Sequence, residues 1–205
     1  MYIPPAFEES DRHKLHGFIE ANSFGVLVSV REGVPFATHL PMLLDTDVGP
    51  NGRLIGHFAK GNPQWQDAGG KNVLAIFSGP HAYVSPSIYE SENVVPTWNY
   101  VAVHVYGTFR LLDDVDSLSE ILTKSVQIYE QHRPAPWVLD RNTPYFQKMV
   151  RSIVGFRIEI ERLEGKWKLS QNQPAERQEK VMHALAESTD FDAQEIARLM
   201  AERSR

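Results

Sequence analysis

Between residues 24 and 112 the sequence carries a succession of strand-forming runs joined by turn signals, with a single helix signal among them. The runs are residues 24–30 (FGVLVSV), 34–44 (VPFATHLPMLL), 54–59, 72–78 and 100–112, and residues 81–85 extend or pair with the fourth. Glu32-Gly33 and the 48–52 segment (VGPNG) are hairpin turns. Five or six strands with short connections make an antiparallel barrel, closed or half-closed, and not a series of βαβ units. The two prolines of the 34–44 run place it at an edge or a bulge.

Helices flank this β-rich stretch. Ser10 or Asp11 caps a helix reaching about Asn22, with Leu15, Phe18 and Ile19 on one face. Asn62-Pro63 starts a short helix that Gly69-Gly70 stops after about two turns. Asp114 or Asp116 begins the longest helix, whose stripe is Leu118, Ile121, Leu122, Val126 and Tyr129, and Thr143-Pro144 begins another. Residues 153–161 alternate as a half-exposed strand, Gly165 reads as a turn, and residues 166–170 then pair back. After Pro174 come two helical patterns, 176–187 and 191–203. The fold class expected is mainly β with peripheral helices (α+β), with a barrel domain at 1–173 and a helical tail at 174–205.

Composition removes several function classes. The 205 residues include no cysteine, which excludes disulfides, thiolate catalysis and Cys-based metal clusters. The net charge of −5 lacks the basic footprint of nonspecific DNA binding. No apolar run reaches the ~18 residues of a membrane span, and the first twenty residues lack a secretory apolar region, so cytoplasmic residence and no membrane partner are expected. His39, His57, His81 and His104 fall on strand runs without metal-ligand spacing, and no metal site is expected. Walker A, GxGxxG and GxSxG patterns are absent.

Two local features point to a ligand. A strand delivers Lys60 to a helix start at Asn62-Pro63, where amide groups and the helix dipole favour phosphate; the alternative is a capped surface helix with a solvated lysine. Residues 86–99 read as a proline-stiffened loop presenting Tyr89 and Trp98, with Tyr83 and Tyr100 at its ends; Trp98 equally suits a barrel plug or a dimer contact. A phosphate hook beside flat rings suits a flavin nucleotide. The tail admits two readings, a helix-turn-helix or a pair packed on the barrel or on a partner subunit, and its mixed charges favour packing.

The blocks MYIPPAF, GHFAKGNPQW, VLAIFSGPHAYVSPSIY, VPTWNYVAVHVYG and KLSQNQP, colinear from Met1 to about Leu185, resemble the PaiB-type FMN-binding negative transcriptional regulators. That family is similar to the pyridoxamine-phosphate-oxidase-like flavin proteins, so the resemblance implies an antiparallel split β-barrel of FMN-binding type, a homodimer, and FMN as cofactor. It also implies DNA as a partner. By the same resemblance Thr38, His39, Leu40, His57, Phe58, Ala59, Lys60 and Asn62 would face the ribityl phosphate. Tyr83, Ser85, Trp98 and Asn99 would lie near the ring or across the dimer, and Gln171, with Ser170 and Asn172, would approach the flavin from a C-terminal strand. The alternatives are a flavin-dependent oxidoreductase and a haem-binding or haem-degrading protein on the same barrel.

Overall fold

The computed structural model describes residues 1–89 and 94–203. In chain order the elements are strand β1 (Glu8–Glu9), helix α1 (Arg12–Ala21), β2 (Phe24–Arg31), β3 (Val34–Asp45), β4 (Arg53–Ala59), α2 (Gln64–Ala68), β5 (Asn72–Val84), β6 (Thr97–Leu112), α3 (Val115–Glu130), α4 (Pro144–Met149), β7 (Ile153–Lys168), α5 (Ala175–Ala186) and α6 (Phe191–Arg203). The strands join as β1-β7-β4-β3-β2-β5-β6, and β6 also pairs with β7, which closes the sheet into the expected antiparallel barrel. The chain divides into two compact units. The first comprises Met1–Phe18, Ser78–His104 and Glu164–Arg205, and the second Ile19–Phe77 and Val105–Leu163.

Local chemistry explains the second unit's elements. Glu32 and Gly33 take φ of 52° and 81°, the double left-handed turn that matches strand twist, and set β2 and β3 in register from Arg31–Val34 to Phe24–Pro41. Pro35 and Pro41 lie where β3 is laddered to β2, while β4 pairs only from Met42 onward. Each proline therefore avoids the doubly bonded part of the strand. Asp114 Oδ1 accepts from the Ser117 amide at 2.7 Å and caps α3, and Thr143 Oγ1 accepts from the Phe146 amide at 3.1 Å and caps α4. The core holds Phe58, Phe109 and Phe156, with α3 laying Ile121 against Leu43 and Ile55.

The first unit is a smaller assembly around the ends of three long strands. Val181, Leu185, Ile196 and Met200 of α5 and α6 are buried with Val84, Tyr89, Val101 and Leu169. The tail therefore supplies core, as the packing alternative requires.

Three expected boundaries are corrected. Gly165 does not turn the chain: β7 runs unbroken from Ile153 to Lys168, with Gly165 opposite Glu9. A Cβ there would stand 2.2 Å from Leu15 Cδ2 and 2.7 Å from the Glu9 carbonyl oxygen, so the glycine allows close approach inside a strand. The expected loop at 86–99 is shorter, because β6 begins at Thr97 and Pro86–Tyr89 forms a 3₁₀ turn. Residues 90–93 of that loop lie outside the described residues. The helix after Pro63 has five residues, less than the two turns expected.

Candidate functional site

In the second unit, β3 and the turn after β4 are tied by a side-chain bond. Asn62 Nδ2 donates to Thr38 Oγ1 at 2.9 Å, and Asn62 Oδ1 accepts from the Gln64 amide at 2.9 Å. One amide side chain thereby starts the helix and fixes the turn to the barrel wall. The Lys60 amide donates to the Ser152 carbonyl at 2.8 Å, and the Lys60 carbonyl accepts from Trp65 Nε1 at 3.1 Å. The Lys60 side chain is exposed on this bonded backbone. Of the amides that were candidates for anion binding, that of Gln64 is taken by Asn62.

Gln64 anchors the same turn from inside. It is fully buried, and its Nε2 donates to the Leu27 carbonyl at 3.0 Å, Ser29 Oγ at 3.1 Å and the Phe36 carbonyl at 3.1 Å. Sequence reasoning missed this residue, because a glutamine in the first turn of a helix ordinarily faces water. Its position after Asn-Pro gives no periodic signal.

The other predicted residues of this unit divide by strand alternation. Thr38 is half-buried and His39 exposed on β3, whereas Leu40 is buried. On β4 His57 is half-buried, Phe58 is buried in the core, and Ala59 is exposed. Leu40 and Phe58 thus belong to the interior, Thr38 is the strand residue joined to Asn62, and His39 lies on the opposite face of β3, beside Val26.

Burial holds the His57 imidazole below its ordinary value of 6.5. The unfolded chain then binds a proton at higher pH than the folded one. Stability from neutral His57 is full above about pH 6.5 and is lost as pH falls through that value toward the folded pKa. Urea unfolding at pH 7.5, 6.5 and 5.5 checks this: His57→Gln should lose less stability on acidification than the parent, and equal losses remove His57 as a source.

The first unit holds the remaining candidates. Trp98 and Tyr83 meet edge to face with centroids 5.7 Å apart, and His81 lies 6.0 Å from Trp98. Both large rings are about half exposed, at 52% and 49%. Strand alternation sends Asn99 the other way. It is fully buried, and its Nδ2 donates to Ser170 Oγ at 2.9 Å. Ser85 Oγ bonds Ser87 Oγ at 2.8 Å. Gln171 folds back on its own strand end, accepting from the Leu169 amide at 2.6 Å and donating to the Trp167 carbonyl. Among the described residues no group of three metal-ligating side chains converges, and no helix is long and apolar enough to cross a membrane.

Residues 1–162 match the family described as "Putative FMN-binding domain". The chain is 40% identical over 205 residues to the protein named "Protease synthase and sporulation protein PAI 2" of Bacillus subtilis (strain 168), covering 99% of this chain and 98% of that one. Among solved structures, the flavocytochrome Anf3 from Azotobacter vinelandii aligns with a TM-score of 0.62 at 17% identity, over 78% of this chain and 69% of that one. A FAD and heme binding protein from Mycobacterium smegmatis aligns with a TM-score of 0.63 at 17% identity, over 83% and 78%. These two likenesses establish the split-barrel fold.

Proposed function

Because this chain belongs to the PaiB-type FMN-binding family, we propose that it is a homodimeric FMN-responsive negative regulator of transcription, with the flavin phosphate held beside Lys60. The observation that carries the phosphate assignment is the Asn62–Thr38 bond, which holds the turn bearing Lys60 against β3. A hydroxyl, an amide and an ammonium (Thr38, Asn62 and Lys60) then lie on adjoining segments, while His39 faces the other side of β3. That donor set suits a phosphate monoester. Bound FMN would supply a redox-active ring; the chain's own residues bind and orient it.

Support for the homodimer comes from the outer face of the second unit's sheet. Register puts Phe24, Val26, Val28 and Val30 of β2 beside Pro41, His39, Ala37 and Pro35 of β3, and Ile76 and Leu74 of β5 beside Val26 and Val28. Phe24 and Val30 are 68% and 54% exposed. An apolar sheet face of this extent is the kind that a second copy covers.

The DNA contact is assigned to a surface other than α6. Its Ala193, Ile196, Ala197 and Met200 are buried, and Arg198 is held by Glu195 and Glu202. A recognition helix would need those groups free for base edges and phosphates.

An FMN titration followed by flavin fluorescence tests the site. Lys60→Ala should weaken binding by about 1.5–3 kcal/mol, roughly 10- to 150-fold, through loss of a charge-assisted contact. Unchanged affinity removes Lys60 from the site. Salt-sensitive retention of a promoter fragment that changes with FMN supports regulation, whereas FMN-dependent NAD(P)H oxidation without DNA retention replaces it with an oxidoreductase reading.

A further inference from the structure

The first unit contains a cavity of about 240 Å³ that shares no residue with the Lys60 turn, and its lining includes Asn99, Ser170 and Asn172, which the family resemblance turns toward the flavin. Its polar wall includes Lys168, Arg177, Thr97, Asn99 and Ser170, and its apolar wall includes Phe7, Val94 and Val95. The cavity arises where β7 ends, where β6 begins, and where the first turn of α5 passes by.

Charge is what distinguishes it. In a chain of net charge −5, two cations line one small cavity, and no carboxylate lines it among the described residues. Lys168 donates to Thr97 Oγ1 and the Trp98 carbonyl, which leaves one of its three ammonium protons without either acceptor. Burial, with Lys166 nearby, holds the Lys168 ammonium below its ordinary range. A bound anion would relieve that cost. Arg177 spends one contact on Gln173 Oε1 at 3.3 Å, and its guanidinium carbon stands 5.7 Å from the Tyr89 ring centre. Its planar fork keeps further donors for a planar acceptor.

The back of the cavity is rigidly built. Asn99, fully buried, bonds Ser170, which is 3% exposed and holds a left-handed φ of 64°. A non-glycine residue in that conformation is retained where the surroundings over-determine it, which is common at ligand clamps. The apolar wall decides between anions. A phosphate ion would leave Phe7 and the valines against a fully hydrated group, whereas a carboxylate on a small ring or branched chain meets both walls and matches the guanidinium fork.

We infer that this cavity is a binding site for a small organic carboxylate with an apolar body, held by Arg177 and Lys168 and sharing no residue with the phosphate set at Lys60. The inference rests on first-unit residues and stands apart from the Lys60 assignment. The test uses FMN-saturated protein, with sodium benzoate as the probe and benzyl alcohol as its neutral counterpart, measured by calorimetry and by thermal midpoint. Saturable benzoate binding that exceeds benzyl alcohol binding, without release of FMN, is expected. Arg177→Gln should weaken benzoate at least about tenfold.

Val95→Asp gives a second arm that folding cannot confuse. Val95 is 75% exposed on the cavity wall, so an added carboxylate there should repel benzoate while FMN affinity and the ligand-free midpoint stay put. Absence of benzoate binding overturns the inference, as does equal binding of benzyl alcohol. Displacement of FMN by benzoate overturns it too, since the cavity would then belong to the flavin site. Benzoate affinity unmoved by both substitutions has the same consequence.

Discussion

Phe156→Ala is expected to lower stability by about 3–5 kcal/mol, read as a drop in the urea midpoint at constant slope. Phe156 is fully buried in the second unit's core. Its ring stacks on Phe109 at 5.1 Å with planes 23° apart, and meets Phe58 at 5.0 Å. Phe58 and Phe109 are themselves 6.1 Å apart, so the three rings form one cluster. The backbone is shaped around it, since a Cβ on Gly56 would come within 2.6 Å of Phe156 Cζ. Truncation leaves a cavity that the barrel wall cannot fill without breaking ladder bonds. A loss below about 1 kcal/mol would show that the core collapses into the space, contrary to the packing described.

Gly107→Ala is expected to be comparably damaging, at roughly 3 kcal/mol or more, for the opposite reason. A Cβ at this position on β6 would lie 2.1 Å from the Glu159 carbonyl oxygen and 2.9 Å from its carbon. The obstacle is backbone of β7, the strand whose pairing with β6 closes the sheet. No rotamer change relieves such a clash, so the two strands must part. Gly17→Ala is the internal control. It sits in α1 with nothing within 4 Å of the added methyl, so it should be neutral or stabilise by about 0.5–1 kcal/mol. Equal midpoints for the two variants would mean that β6 and β7 tolerate separation, and closure would not be a major source of stability.

Much of the second unit was legible because its signals are local. Glu32-Gly33 states its turn through backbone chemistry that few residue pairs share, and Asp114 and Thr143 state helix starts through side chains of the right length. Asn62 was legible as a helix-start residue for the same reason, although it bonds the Gln64 amide from one position before the cap, which is Pro63. Its second bond, to Thr38 across 24 positions, was not, because nothing in either residue's neighbourhood names the other. Gly165 misled for a related reason. A glycine reads as a turn when only its own conformational freedom is considered, yet here it makes room for Leu15 and Glu9. The onset of β6 was placed late, at Tyr100, because prolines and polar residues precede it. Starting the strand at Thr97 reverses the roles of its neighbours, with Trp98 outward and Asn99 fully inward.

The amino-acid order by itself determined the antiparallel barrel, the helix caps, the family and its flavin, since each depends on short-range chemistry or on colinear blocks. Only the folded chain decided that Gln64 is an internal anchor, that the tail helices bury their apolar faces, and that Lys168 and Arg177 line one cavity. Those outcomes depend on which distant segments share space. That follows from packing and strand closure, whose energies are summed over the whole molecule and carried by no single stretch.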